Sequence, residues 1–308
     1  MKMEPTIKLT HQSFEWSRFK AYFGSYYFAN SRKLMLSAAS ILIAWIVICV
    51  LPNIITEFDI YKDNARWALE YPEKYYAFVD PYLEIEQMIG AFLFAVLATL
   101  AGSSMFTCMH GKGERQTLLA IPASSLEKYL TYFTIYILGF IVVFFVSEII
   151  ADALRVACIK MFSDYGDYAH FISLRRIFTF GIDTNVYDRT INGEAVPVKN
   201  YLFITSYYTF VIVTAAIFSL GSIVWQKASY LKTLCALAIL QVVQTSLLML
   251  SMRIFFGWNA NITLRDFFHP MGELARSPFI ILIGLAISVF MFWLGYRRFK
   301  DTDLVERW

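Results

Sequence analysis

Long apolar segments separated by polar ones dominate the pattern of this chain. An α-helix needs about 20 apolar residues to cross the hydrocarbon core of a bilayer. Six segments come close to or exceed that length: Leu34–Ile55, Met88–Phe106, Tyr132–Ile150, Tyr201–Trp225, Leu231–Phe256 and Pro278–Tyr296. Each has the length of a helical span, and helices satisfy their own backbone hydrogen bonds in lipid. The pattern therefore predicts an all-α, polytopic membrane protein with six transmembrane helices in residues 34–308.

Aromatic residues recur at helical spacing ahead of the first span. Four of them follow one another at intervals of three and four: Trp16, Phe19, Phe23 and Tyr26. Arg18 and Lys20 fall largely outside this face, as in helices that place rings at a membrane interface and cations toward anionic lipid. Residues 1–33 are therefore predicted to form an N-terminus with an interfacial amphipathic helix, although an extension that only anchors the chain fits the same residues.

The polar segment between the second and third spans, residues 108–128, has an order of its own. A charged, glycine-containing turn at 111–115 precedes a short apolar patch at 117–121, which Pro122 ends. Ser124 and Glu127 have the spacing of a capping box, which predicts a new helix from about Ser125. These features predict a compact, structured loop, and an ordinary interhelical loop is the alternative.

Composition and charge agree with a membrane protein and give it an orientation. Hydrophobic residues make up 58% of the 308 residues and charged residues 17%, whereas soluble proteins carry about a quarter charged residues. Lys and Arg are concentrated before the first span, in residues 108–128 and after the sixth span, while the loop between the first two spans is acidic. By the positive-inside rule both termini and the loop 108–128 are predicted to be cytosolic.

Three charged residues near the end of the third span have helical spacing. Glu148, Asp152 and Arg155 are four and three residues apart, so a helix places them on one face. Ionisable residues within a span are candidates for function. At the outer end of a span, a paired structural cluster is the other interpretation of this possible intramembrane charge cluster.

Three uncharged polar residues lie in the fifth span. Gln241 and Thr245 are one helical turn apart, and Gln244 precedes Thr245. Such side chains form hydrogen bonds between neighbouring helices or line a path through the membrane. The sequence leaves both interpretations open.

The longest polar segment, residues 156–200, is predicted to be an exterior loop. Asn192 and Gly193 form a hairpin-type turn signal between short β-prone flanks. We therefore expect a small exterior element with a hairpin-type turn, too short to be an independent domain.

Motifs of catalytic and cofactor chemistry do not occur in the sequence. There is no phosphate-binding loop, no His-Glu-x-x-His and no Gly-x-Ser-x-Gly. The four histidines are scattered, and the four cysteines lack the spacing of a metal site. We therefore predict that the chain is not an enzyme and has no catalytic, cofactor-binding or metal-binding residues.

Six spans follow an amphipathic helix, and spans two and three are joined by a loop with the sequence Glu114-Arg115-Gln116-Thr117-Leu118-Leu119-Ala120-Ile121-Pro122-Ala123-Ser124. This layout resembles the permease subunits of ABC-2 type transporters. In that family the loop between spans two and three carries a coupling helix that docks on a separate ATP-binding subunit. The resemblance implies five ATPase-coupling residues. Leu118, Leu119 and Ile121 would form the apolar contact, and Glu114 and Arg115 would orient it.

The resemblance also implies the setting of the protein. It predicts a multi-pass permease of a bacterial inner membrane, in an ABC transporter that is an exporter. The partners would be an ABC ATP-binding subunit, a second copy or a related permease in a dimer, and membrane lipid, without nucleic acid. ATP would be used by the partner subunit, and this chain would bind no cofactor.

Two other classes of function fit parts of the sequence. A membrane scaffold or sensor would use the aromatic-rich exterior loops to bind a ligand or partner. An intramembrane enzyme would use Glu148 and Asp152. The permease remains the principal hypothesis because it accounts for the spans and the loop 108–128 together.

Overall fold

A computed structural model of the chain describes residues 14–55, 63, 66, 70, 81–111, 121–164, 169–180, 185–191, 194–199, 201–225, 227–256 and 278–305. Six of its helices are long and apolar enough to cross a membrane, as predicted. They are α1 (Trp16–Ile55), α2 (Pro81–Ser104), α3 (Ser125–Phe162), α5 (Tyr201–Val224), α6 (Ser229–Phe256) and α7 (Pro278–Val305). A short helix, α4 (Leu174–Thr179), lies between α3 and α5.

The predicted interfacial helix and the first span are one uninterrupted helix, which corrects the expectation of a separate N-terminal element. Two of the contacts between α1 and α3 are those of Tyr26 with Tyr136 and of Trp45 with Phe144. At ~1.5 Å per residue, roughly 28 Å of α1 lies between these contacts, against roughly 12 Å of α3. α1 therefore takes a longer path than its partner, as a helix does when it runs obliquely or bows outward.

α3 is longer than the predicted third span. It consists of Ser125–Phe133, a π-helical turn at Thr134–Leu138, and Gly139–Phe162. Its last turns take in the first residues of the predicted exterior loop 156–200, so that loop begins only after Phe162. Val156 and Ile159 are both buried, and their packing explains why the helix continues past the apolar segment.

The predicted hairpin is present. Strand β1 (Asn185–Ile191) pairs antiparallel with β2 (Glu194–Lys199), with an irregularity in register between Tyr187 and Arg189. The Asn192-Gly193 turn lies outside the described residues, but its position between the strands agrees with the turn signal. The described chain is therefore helical apart from this two-stranded sheet.

Two groups of helices make up the bundle. α5 packs between α2 and α7 and also contacts α6, whereas α1 packs along α3. The contact of α2 with α5 is close at Gly102, where an added Cβ would lie 2.5 Å from the backbone oxygen of Ala215. Small residues at such positions allow backbones to approach in lipid, where van der Waals packing holds helices together.

The bundle has two distinct ends. The loop end contains the start of α1, residues 104–111 and 121–125, and the last turns of α7, packed around an aromatic cluster. We call this the loop-end aromatic cluster; its buried members are Tyr22, Met105, Phe106, Met109, Tyr129, Tyr132 and Phe299. The opposite, hairpin end contains α4, the hairpin and the second core cluster, which includes Trp45, Phe94 and Phe144.

Candidate functional site

Glu127 connects the starts of two helices at the loop end. The predicted capping box is present: Ser124 N–H donates to Glu127 Oε2 at 2.8 Å, and Glu127 N–H donates to Ser124 Oγ at 3.2 Å. The backbone N–H of Glu15, which precedes α1, donates to Glu127 Oε1 at 2.8 Å. One carboxylate therefore satisfies N–H groups at the N-termini of α3 and α1, where the helix dipoles favour negative charge.

Arg18 completes this arrangement. Its Nε donates to both Glu127 oxygens at 3.1 and 3.0 Å, and its Nη2 donates to Oε1 at 2.9 Å. The Glu127 side chain is fully buried, whereas that of Arg18 is 27% exposed. A charge-assisted, forked contact of this kind fixes both distance and orientation, so it holds the first turn of α1 against the first turn of α3.

The beginning of the loop 108–128 is fixed to the bundle by Met109 and His110. A 3-10 turn, Thr107–Met109, follows α2 and buries Met109 in the loop-end aromatic cluster. The Nε2 of His110 lies 2.9 Å from the backbone oxygen of Ser222 and must donate, because a carbonyl can only accept. This bond occupies a carbonyl in the last turn of α5, which the helix leaves without a partner of its own.

The loop-end aromatic cluster joins α1, α3 and α7 below the loop. Tyr22 and Tyr132 lie 3.2 Å apart between their hydroxyl oxygens, and Tyr129 donates its hydroxyl to the backbone oxygen of Phe292 at 2.8 Å. Rings fill the remaining space, with Phe106 stacked on Tyr129. Both ends of the loop 108–128 therefore pack against the loop-end aromatic cluster.

Only part of the predicted coupling site can be placed. Glu114, Arg115, Leu118 and Leu119 lie outside the described residues, and their roles stay predictions. Ile121 is half-buried and packs on the loop-end aromatic cluster. Part of its apolar surface is therefore used within the chain.

Glu148, Asp152 and Arg155 form a buried cluster at the hairpin end, on one face of α3 as predicted. Arg155 donates from Nε and Nη2 to Asp152 Oδ1 at 3.0 and 2.7 Å, and its Nη2 also donates to the backbone oxygen of His170 at 2.8 Å. The backbone N–H of Ile172 donates to Asp152 Oδ2 at 2.9 Å. This paired arrangement secures the segment before α4 and agrees with the structural interpretation.

The polar residues of the fifth span face away from the rest of the bundle. Gln241 and Gln244 are exposed and Thr245 is half-buried, and none of the three forms a hydrogen bond among the described residues. α6 packs mainly through its first turns, where Ser229 and Thr233 are buried. The expected hydrogen bonds to neighbouring helices of the same chain are therefore not seen.

Two contacts between helices were not predicted from the sequence. Arg18, interpreted as a cation directed at lipid, instead pairs with Glu127, which corrects that expectation. Gln87 donates from Nε2 to Glu148 Oε1 at 3.0 Å and was not singled out at all. Both pairs join residues far apart in the chain, and no local spacing signals such a contact.

Comparisons with known proteins return no relative. No family model, no curated protein and no solved structure matches this chain. Within the part of the chain that the structure describes, no group of His, Cys, Asp and Glu side chains has the arrangement of a metal site.

Proposed function

We propose that this chain is the membrane-spanning permease subunit of an ATP-driven ABC transporter of the ABC-2 type. The observation that carries the proposal is the loop 108–128, whose two ends are both fixed to the bundle. His110 holds one end to α5, and Glu127 with Arg18 holds the other to α3 and α1. A loop supported in this way is suited to receive a force from a bound subunit.

The same contacts suggest how motion would pass into the membrane. If an ATP-binding subunit moves the segment between Gly111 and Ile121, the displacement reaches α3 through its capped first turn. Because the Arg18–Glu127 ion pair joins α3 to α1, these two helices would move together. Packed elements transmit such shifts because they do not deform continuously.

The remaining parts of the proposal follow from this role. The ATP-binding subunit would bind and hydrolyse ATP, so this chain itself would be neither an enzyme nor a cofactor-binding protein. Both termini would be cytosolic in a bacterial inner membrane, and transport would be outward. Membrane lipid would surround the apolar exterior, and no nucleic acid would be bound.

A second copy of the chain, or a related permease, is the proposed neighbour in the membrane. Gln241 and Gln244 are exposed on a helix that lipid would otherwise surround. An amide both donates and accepts, so the glutamines of two identical helices can satisfy each other. These residues therefore support a dimer formed through α6.

The test is co-purification of the ATP-binding subunit with variants of the loop. The double variant Leu118→Asp, Leu119→Asp places two charges in the proposed apolar contact and is expected to abolish recovery of the ATPase. Lys227→Asp, in the exposed turn between α5 and α6, is the matched control and should leave recovery unchanged. Stoichiometric recovery with the double variant would exclude docking at this patch, and recovery of no ATPase with the wild type would favour a scaffold or sensor.

A further inference from the structure

Gln87 on α2 and Glu148 on α3 meet at the hairpin end, in the interior of the bundle. Each side chain is 1% exposed, and the amide Nε2 of Gln87 donates to Glu148 Oε1 at 3.0 Å. This bond uses one oxygen of the carboxyl group and one half of the amide. It also links the second span to the third.

The two atoms that this bond does not use have no partner. Neither Glu148 Oε2 nor Gln87 Oε1 has a hydrogen-bond partner within the described residues, and both atoms are buried. Buried polar groups without partners are rare, because each one costs about 1–3 kcal/mol. Two of them occur here on side chains that already share a hydrogen bond, and both are acceptors that need a donor.

The charged surroundings do not compensate an ionised Glu148. The titratable and charged groups around it lie on its own helix and on three neighbouring helices: Asp152 and Arg155 of α3, Cys49 of α1, Glu86 of α2 and Tyr208 of α5. Arg155 is a cation in this group, and it donates hydrogen bonds to Asp152 and to the backbone of His170. A charged Glu148 would therefore be a buried anion beside further carboxyl groups, which is strongly unfavourable.

We propose that Glu148 binds one proton on Oε2 and donates it to Gln87 Oε1, so that the two side chains form a reciprocal acid–amide pair. One proton then supplies the missing donor for both unpartnered oxygens, and the pair has two parallel hydrogen bonds. The ligand of this site is the proton itself, and its binding holds α2 against α3. Loss of the proton removes one bond and places a negative charge in the interior, so it loosens the two helices at the hairpin end. This site is independent of the proposed coupling at the loop end.

The direction of the pH effect follows from proton linkage. An unfolded glutamate loses its proton above about pH 4.3, whereas the folded site retains it. The folded state therefore binds more protons than the unfolded state, and stability falls as the pH rises above that value. The contribution is complete at lower pH and disappears once the folded site also loses its proton. One proton of difference raises the unfolding constant by at most ~10-fold per pH unit.

Equilibrium unfolding of the full chain in lipid nanodiscs, measured between about pH 5 and pH 8, tests the proposal. Glu148→Gln preserves both hydrogen bonds without an ionisable proton, so the difference in pH slope between the wild type and this variant is the contribution of the site. We expect the wild type to lose more stability with rising pH than E148Q. Glu86→Gln removes a second buried carboxyl, so its own effect on the slope is measured separately, and E148Q should reduce the slope by the same amount in this background as in the wild type.

Four results would overturn the proposal. Equal slopes for the wild type and E148Q would show that Glu148 binds no proton in this range, and loss of the slope in E86Q alone would assign the proton to Glu86. Stabilisation by sodium without a pH effect would indicate a metal cation between the two oxygens. If the E148Q protein does not accumulate in the membrane, infrared spectroscopy of the wild type tests whether a carboxyl group is protonated. A protonated carboxyl has a carbonyl band that a carboxylate lacks. Absence of that band at pH 6, within the tested range, would refute the proposal.

Discussion

The Nε of Arg18 donates hydrogen bonds to both carboxylate oxygens of Glu127, at 3.0 and 3.1 Å, although 109 positions separate the two residues in the chain. The same carboxylate accepts the Ser124 and Glu15 backbone N–H groups. A single buried side chain thus serves as the cap of two helices and as the acceptor of an ion pair. Its loss would remove all of these contacts together.

We predict that Glu127→Ala lowers the free energy of unfolding by about 3 kcal/mol, since it removes a helix cap and leaves Arg18 without its principal partner. Unfolding in detergent measures this change. A double-mutant cycle with Arg18→Met should give a coupling energy of about 1–3 kcal/mol.

Glu15→Gln is the control for this cycle. The Glu15 side chain is 62% exposed, and only its backbone N–H contacts Glu127. The variant should change stability by no more than ~0.5 kcal/mol. An effect of Glu127→Ala as small as that of the control would show that the contact does not hold the helices together.

We predict opposite effects for alanine at two helical glycines. At Gly102 an added Cβ would lie 2.5 Å from the Ala215 oxygen, so α2 and α5 must separate at a cost of about 1–3 kcal/mol. At Gly24 no atom lies within 4 Å of an added Cβ. Alanine there should stabilise α1 by about 0.5–1 kcal/mol because it restricts the unfolded chain.

Thermal unfolding of the two glycine variants provides the comparison. Both substitutions add the same methyl group to a helix, so the difference between them isolates the contact of α2 with α5. Equal melting temperatures would contradict the close approach of these two helices at Gly102.

We predict the orientation of the chain from single cysteines in a background that lacks the four native ones. Lys227→Cys lies in the turn between α5 and α6, and Asp164→Cys follows α3; both positions are exposed. A membrane-impermeant maleimide should label Asp164→Cys in intact cells and Lys227→Cys only after permeabilisation, because basic segments remain cytosolic. The reverse pattern would place both termini outside.

We predict that Gln241→Leu combined with Gln244→Leu weakens self-association in lipid. Hydrogen bonds between membrane helices contribute about 0.6–2 kcal/mol each, so the dissociation constant should rise about tenfold. Energy transfer between labelled chains in vesicles, followed on dilution with lipid, measures this constant.

Val243→Leu is the control for the association experiment. Val243 is exposed on the same helix but carries no hydrogen-bonding group, so its replacement should leave the dissociation constant unchanged. If the glutamine variant associates as strongly as the wild type, the glutamines do not form the contact between copies.

Local signals in the sequence were enough to predict several elements. The six spans follow from the length of the apolar segments, the start of α3 from the capping box of Ser124 and Glu127, and the hairpin from Asn192-Gly193. Each of these depends on residues within a few positions of one another. Such patterns determine local backbone conformation directly, because caps and turns are satisfied by near neighbours.

Which face of each helix is buried was decided only by the tertiary structure. In a soluble helix, polar residues mark the exposed face, but here lipid and protein interior are equally apolar, so periodicity in the spans is weak. The exposure of Gln241 and the burial of Gln87 could not be distinguished for this reason.

The partners of the polar side chains also required the folded chain. Arg18 and Gln87 each meet a glutamate on α3 that is far away in sequence. The sequence alone determined the spans, the helix start and the hairpin, because these depend on local chemistry. The packing of α1 and α2 on α3 decided the ion pair at one end and the acid–amide contact at the other, because hydrogen bonds between helices depend on which faces the packing brings together.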